Sequence, residues 1–144
     1  MKKERIELPK GYKPTDKKGK YMDPLQLEYF RRKLLAWKAD LLKDSADTLA
    51  EIKQGTADTY GSAGDDVDRA NDEAAKQLEL RVRDRERKVI GKIDEALARI
   101  DDGTYGFCEI TGEPIGLKRL EAKPTATMSV EAQEEHEAME KQFK

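Results

Sequence analysis

Three carboxylates, Asp65, Asp66 and Asp68, fall within four residues directly after a glycine-rich stretch. At the start of a helix such acids meet the positive end of the helix dipole, an interaction worth ~0.3–1 kcal/mol. A second chemistry is open to them. A helix end that carries acids can deliver negative charge to a metal-containing active site on another protein. Farther along, Arg81, Arg83, Arg85, Arg87 and Lys88 place five cations over little more than two turns, with only Asp84 and Glu86 between them. That run reads either as a solvated, salt-bridged face or as a docking surface for an acidic partner.

Cys108 is the single cysteine, which excludes an internal disulfide. A zinc knuckle uses two Cys-x-x-Cys pairs, because tetrahedral coordination draws four ligands from two tight turns. Here the corresponding positions read Cys108-x-x-Thr111 and, after a 17-residue gap, Ser129-x-x-Ala132. Threonine, serine and alanine do not replace thiolates, and His136, in a glutamate-rich helix, does not rebuild the site. Structural zinc is therefore not expected, and Cys108 is read as a small buried hydrophobe or a free thiol. No nucleophile stands with a base, and no phosphate-binding Gly-Lys loop is present. The chain is not read as an enzyme.

The elements that must position these residues are mostly helical. Of 144 residues, 40% are charged and 37% hydrophobic, a balance suited to helices with a narrow apolar seam rather than to a large core. Residues 1–22 form a basic arm packing on or near a small head; its first twenty residues hold eight Lys/Arg against three Asp/Glu. Asp23-Pro24 is a helix start. Leu27, Phe30, Leu34, Trp37 and Leu41 follow at spacings of three and four, a seam that weakens at Ser45 and Thr48, resumes at Ile52 and stops at Gly55. The segment 55–64 is expected as a turn, with Asp65 and Asp68 flanking the next helix in a capping arrangement. Leu78, Val82, Val89, Ile93, Leu97 and Ile100 make that helix's apolar face, with Arg85 on the seam side. Gly103 takes the left-handed position that ends it.

Two helices of about 32 and 36 residues, each roughly 50 Å long at ~1.5 Å per residue, then form an antiparallel hairpin over 23–103 with its tip near 55–70. Residues 104–144 make the globular head. In it Phe107–Ile110 is a short strand, 111–114 a turn, Ile115, Leu117 and Leu120 a small core, and Ser129 the cap of a final helix from Val130 to Phe143. The fold class is mainly α: a long antiparallel coiled-coil hairpin with a small, degenerate zinc-ribbon-like head and a C-terminal helix. The net charge of -2 argues against direct sequence-specific DNA binding. No apolar stretch reaches the ~20 residues of a membrane span. The chain is read as a cytoplasmic monomer.

Taken together, D-D-V-D-R-A (65–70), L-R-V-R-D-R-E-R-K (80–88), the run from Gly106 to Ala126 and Q-L-x-x-F-R-x-x-L-x-A-W (26–37) resemble the DksA/TraR family across about residues 21–140. The resemblance implies a factor that binds bacterial RNA polymerase, inserts its coiled coil into the secondary channel and, with the alarmone ppGpp, regulates initiation. Ribosomal RNA promoters would be repressed and amino-acid biosynthesis promoters activated. It maps the tip motif onto Asp65, Asp68 and Ala70, polymerase-rim contacts onto Arg81, Arg85 and Arg87, and ppGpp binding onto Lys92 and Lys123. The third basic position of that pocket falls on the uncharged Gln133. No cofactor is held stably; ppGpp acts as an effector. The competing readings are a Gre-like channel factor affecting transcript cleavage, a coiled-coil adaptor, and a redox or metal sensor built on Cys108.

Overall fold

The computed structural model describes residues 7–15, 20–59 and 65–142, without the side chains of 56–59, 65, 66 and 68. Among the described residues the elements are α1 (Pro24–Thr59), α2 (Asp65–Asp102), α3 (Leu117–Ala122) and α4 (Val130–Gln142), with no strand. Residues 1–6 and 16–19 of the expected arm, 60–64 of the expected turn, and 143–144, with the expected helix end at Phe143, lie outside the described residues.

α1 starts where its cap permits. The Asp23 carboxylate accepts the Gln26 N–H at 2.8 Å, and Pro24 occupies the first helical position, where a missing N–H costs nothing. The helix does not stop at Gly55 as expected but continues to Thr59. A single glycine costs only ~1 kcal/mol relative to alanine, too little to end a helix of 36 residues. α2 ends as its sequence requires. Gly103 adopts φ 81, and the Thr104 N–H reaches back to the Arg99 carbonyl at 2.9 Å.

The chain divides into two units, one within Met1–Leu35 and Ile93–Lys144, the other Ala36–Lys92. The first holds the main core. Phe30 and Leu34 of α1, Ile93, Ala96 and Ile100 of α2, and Tyr105, Ile115, Leu117 and Leu120 are all buried. Tyr105 packs 5.7 Å from the Phe30 ring, and its hydroxyl donates to the Pro124 carbonyl at 2.7 Å. The described arm residues rest on α1: Tyr12 meets Tyr29 edge-on at 6.1 Å, and the Gln26 side chain donates to the Thr15 carbonyl at 3.3 Å. The expected strand at Phe107–Ile110 is absent, replaced by a single antiparallel bridge between Phe107 and Pro114. The turn leaves room for one pairing only. The short helix α3 carries Leu117 and Leu120 into the core. Ser129 caps α4, its hydroxyl accepting the Ala132 N–H at 3.2 Å.

The second unit, Ala36–Lys92, is an antiparallel pairing of α1 with α2. Trp37, Leu41, Leu49 and Ile52 of α1 are half-buried, and Ser45 is buried. On α2 Asp72, Ala75, Glu79, Val82, Glu86 and Val89 are half-buried and alternate by three and four, with Asn71 and Ile90 half-buried beside the two ends of that row. That is a heptad seam, and it corrects the register expected above. Arg85 is exposed rather than on the seam side, and Leu78 remains 46% exposed. A repeat of 3.5 residues places Glu86, not Arg85, against the partner helix.

Candidate functional site

Three groups of residues carry the chemistry, and each belongs to a different element. Asp65 opens α2 and Asp68 stands in its first turn; their side chains lie outside the described residues, while Ala70 is exposed. Carboxylates in a first turn are electrostatically at home, so the helix start tolerates them without any other partner.

The cationic run lies in the middle of α2. Arg81, Arg83, Arg85, Arg87, Lys88 and Lys92 are all exposed. Of these, Arg81, Arg85, Lys88 and Lys92 recur at spacings of four, three and four, which puts them along one face of the helix. The pair Arg87–Asp84, at 3.7 Å with side chains 80% and 65% exposed, contributes little. Arg81, Arg85, Lys88 and Lys92 form no ion pair among the described residues, so their charge is available to a partner. Lys92 closes the hairpin unit, whereas Lys123, directly after α3, belongs to the other unit; both are exposed. Gln133 donates its side-chain amide to Glu137 at 3.0 Å, so this position brings a carboxylate rather than a cation.

The knuckle comes last. Its backbone closes tightly: the Cys108 N–H donates to the Glu113 carbonyl at 2.7 Å, the Gly112 N–H to the Cys108 carbonyl at 2.9 Å, and the Ile115 N–H to the Gly106 carbonyl at 2.8 Å. Cys108 is 3% exposed. A hydrogen bond from the Thr111 hydroxyl, joined by the backbone N–H groups of Ser129, Thr111 and Ile110, pulls the Cys108 thiol down to about 6, against the opposing effect of burial. Hydrogen-bond donors therefore favour the thiolate form of this sulfur. The four ligand positions do not fit a tetrahedral zinc ion. Thr111 serves the sulfur, Ser129 caps α4 and Ala132 has no donor atom. Among the described residues no group of three or more His, Cys, Asp or Glu converges.

Glu28 and Gln26 are among the buried polar residues that the apolar spacing does not report. Glu28 accepts both Arg31 nitrogens at 2.7 Å and Arg32 at 2.9 Å, and Gln26, 2% exposed, joins the arm to the start of α1. The signal for Gln26 was present: Asp23-x-x-Gln26 is a capping pattern.

Comparison with known proteins decides the family. Residues 26–100 match the model for the DnaK suppressor protein DksA, N-terminal domain, and residues 103–138 that for the prokaryotic dksA/traR C4-type zinc finger. The chain belongs to the DksA/TraR family. It is 54% identical over 130 residues to the RNA polymerase-binding transcription factor DksA of Caulobacter vibrioides (strain NA1000 / CB15N), covering 90% of this chain and 88% of that relative. The protein of the same description from Escherichia coli K12 is 42% identical over 135 residues, covering 92% and 87%. The solved structure of transcription factor DksA2 from Pseudomonas aeruginosa superposes with a TM-score of 0.71 at 40% identity, over 84% of this chain and 90% of that one. DksA/TraR membership thus extends from the hairpin through the knuckle, even though the knuckle keeps one thiol where the family model describes a C4-type finger.

Proposed function

We propose that this DksA/TraR-family chain binds bacterial RNA polymerase, inserts its helical hairpin into the enzyme's secondary channel and, together with ppGpp, regulates transcription initiation. The observation that carries this reading is the end-to-end likeness to relatives described as RNA polymerase-binding transcription factors, at 54% and 42% identity over about nine tenths of the chain. The exposed cations of α2 support it. Arg81, Arg85 and Arg87 are exposed, Arg87 only loosely paired with Asp84, and a cationic face on a chain of net charge -2 is a local feature suited to a specific partner rather than to any polyanion.

In this mechanism the division of labour follows charge. The basic face of α2 docks; Asp65 and Asp68, followed by Ala70, bring carboxylates to the interior of the polymerase and alter the stability of the open promoter complex. Lys92 and Lys123 supply cations toward the phosphates of ppGpp. Lysine provides charge without arginine's bidentate fork, and Gln133 adds none, so the ppGpp response rests on two point charges. Ribosomal RNA promoters would be repressed and amino-acid biosynthesis promoters activated.

The test is transcription in vitro from a ribosomal RNA promoter with purified polymerase, with and without ppGpp. The wild-type chain is expected to repress, more strongly with ppGpp. Asp68→Asn is expected to bind core polymerase as the wild type does and to lose repression. Normal repression by that variant removes the tip from the mechanism, and failure of the wild type to bind core polymerase removes the whole reading. Stimulated RNA cleavage in backtracked complexes would instead assign the Gre-like outcome.

A further inference from the structure

The knuckle from Gly106 to Gly116 is closed, yet its residues do not supply the donors that would tie its two limbs through an ion. Beside the backbone bonds between its limbs, and the Glu109 N–H donated to the Thr127 carbonyl at 2.9 Å, a further tie comes from outside the loop. The Tyr21 hydroxyl donates to the Gly106 carbonyl at 2.7 Å and accepts the Gly116 N–H at 2.9 Å. One oxygen atom thus spans both ends of the knuckle. The Tyr21 ring also meets Phe107 edge-on at 5.5 Å.

Met22 continues the same contact. A Cβ on Gly106 would stand 2.7 Å from Met22 Cγ and 2.8 Å from its Sδ, and Gly106 itself lies at φ +90, so only glycine fits there. Met22 sits at φ 57, a left-handed conformation that a side-chain-bearing residue rarely adopts and that its surroundings must hold. The hold is visible: the Met22 N–H donates to the Gln26 side-chain oxygen at 2.8 Å, and the Gln26 N–H is fixed by Asp23 at 2.8 Å. Gln26 is 2% exposed. The capped start of α1 therefore braces the two residues that touch the knuckle.

We propose that Tyr21 and Met22 form a strap that closes the knuckle from outside, so that its order depends on the start of α1 rather than on a bound ion. The hydroxyl matters most to the Gly116 N–H, which loses its acceptor with it, while the Gly106 carbonyl keeps the Ile115 N–H at 2.8 Å. Gln26 acts through Met22; its hydrogen bonds go to Met22, Asp23 and Thr15 and not to the loop.

The proposal is tested by amide hydrogen exchange on the full chain, comparing the wild type with Tyr21→Phe and Gln26→Leu. In Tyr21→Phe the amides of Cys108, Gly112, Ile115 and Gly116 are expected to exchange on the order of tenfold faster, while those of residues 75–90 in α2 keep their rates. Gln26→Leu is expected to loosen the same four amides to a smaller degree. Unchanged knuckle exchange in Tyr21→Phe overturns the strap, as does a Gln26→Leu variant that leaves those amides alone. If Tyr21→Phe unfolds the head outright, Gln26→Leu alone decides by the same reading. A chelator is expected to leave the wild-type pattern as it was; loosening by chelator overturns the proposal by assigning the tie to a metal.

Discussion

Glu28 is a buried charged side chain with two cationic partners. Its carboxylate is 8% exposed and accepts from two arginines, and the Arg31 hydrogen bond holds it below the usual carboxylate range in spite of burial. A group whose folded pKa is depressed contributes stability above its unfolded value, near 4.5, and loses that contribution as pH falls through the lower folded value. Glu28→Gln keeps the shape but turns an amide toward the Arg31 fork. It is expected to destabilise the head by about 1–3 kcal/mol at neutral pH and to flatten the acid limb of the stability curve, read by denaturant unfolding. An unchanged midpoint would mean that the arginines are equally well served by water. Cys108 follows the same sign. With its thiol at about 6 rather than 9.0, the head gains stability as pH rises from about 6 toward 9 and loses it on the way down. Cys108→Ser should remove that slope, and thermal unfolding at a series of pH values checks it.

At the scale of elements, the α2 seam contains a prediction of its own. Glu79 and Glu86 occupy half-buried heptad positions where an apolar residue would pack. Replacing both with leucine should stabilise the hairpin by about 1–2 kcal/mol, measured as a higher midpoint in helix unfolding; a lower midpoint would show that these carboxylates have partners worth keeping. The same positions explain what was legible. Strong apolar spacing at Phe30, Leu34, Ile93 and Ile100 placed the helices and their core correctly, as did Asp23-Pro24, Gly103 and Ser129 at the element ends. Where glutamates fill the seam, the eye moves to the nearest apolar residues. The apolar spacing there points one residue away, to Leu78 beside Glu79 and to Arg85 beside Glu86. α3, with six residues, is too short to show a period, and its two core leucines are equally compatible with a loop. The tie from Tyr21 to the knuckle spans 85 and 95 residues of chain, which no local pattern reports.

For the molecule as a whole, charge distribution decides what can be recognised. Twenty-eight basic and thirty acidic residues nearly cancel, so attraction at long range must come from how the charges are arranged. The clearest arrangement is the α2 face with Arg81, Arg85, Lys88 and Lys92, all exposed and without ion pairs among the described residues. Reversing two of these charges in Arg81→Glu/Arg85→Glu leaves the core untouched, since neither side chain is buried, and folding should be unaffected. Association with core polymerase should slow by roughly tenfold or more at low ionic strength, because complementary charge acts mainly on the encounter rate. The difference should shrink as salt shortens the screening length to ~8 Å and below. Association kinetics on immobilised polymerase across a salt series reads both effects. A deficit that persists unchanged at high salt would point to short-range contacts in place of steering, and equal rates throughout would show that this face of α2 is only a solvated surface.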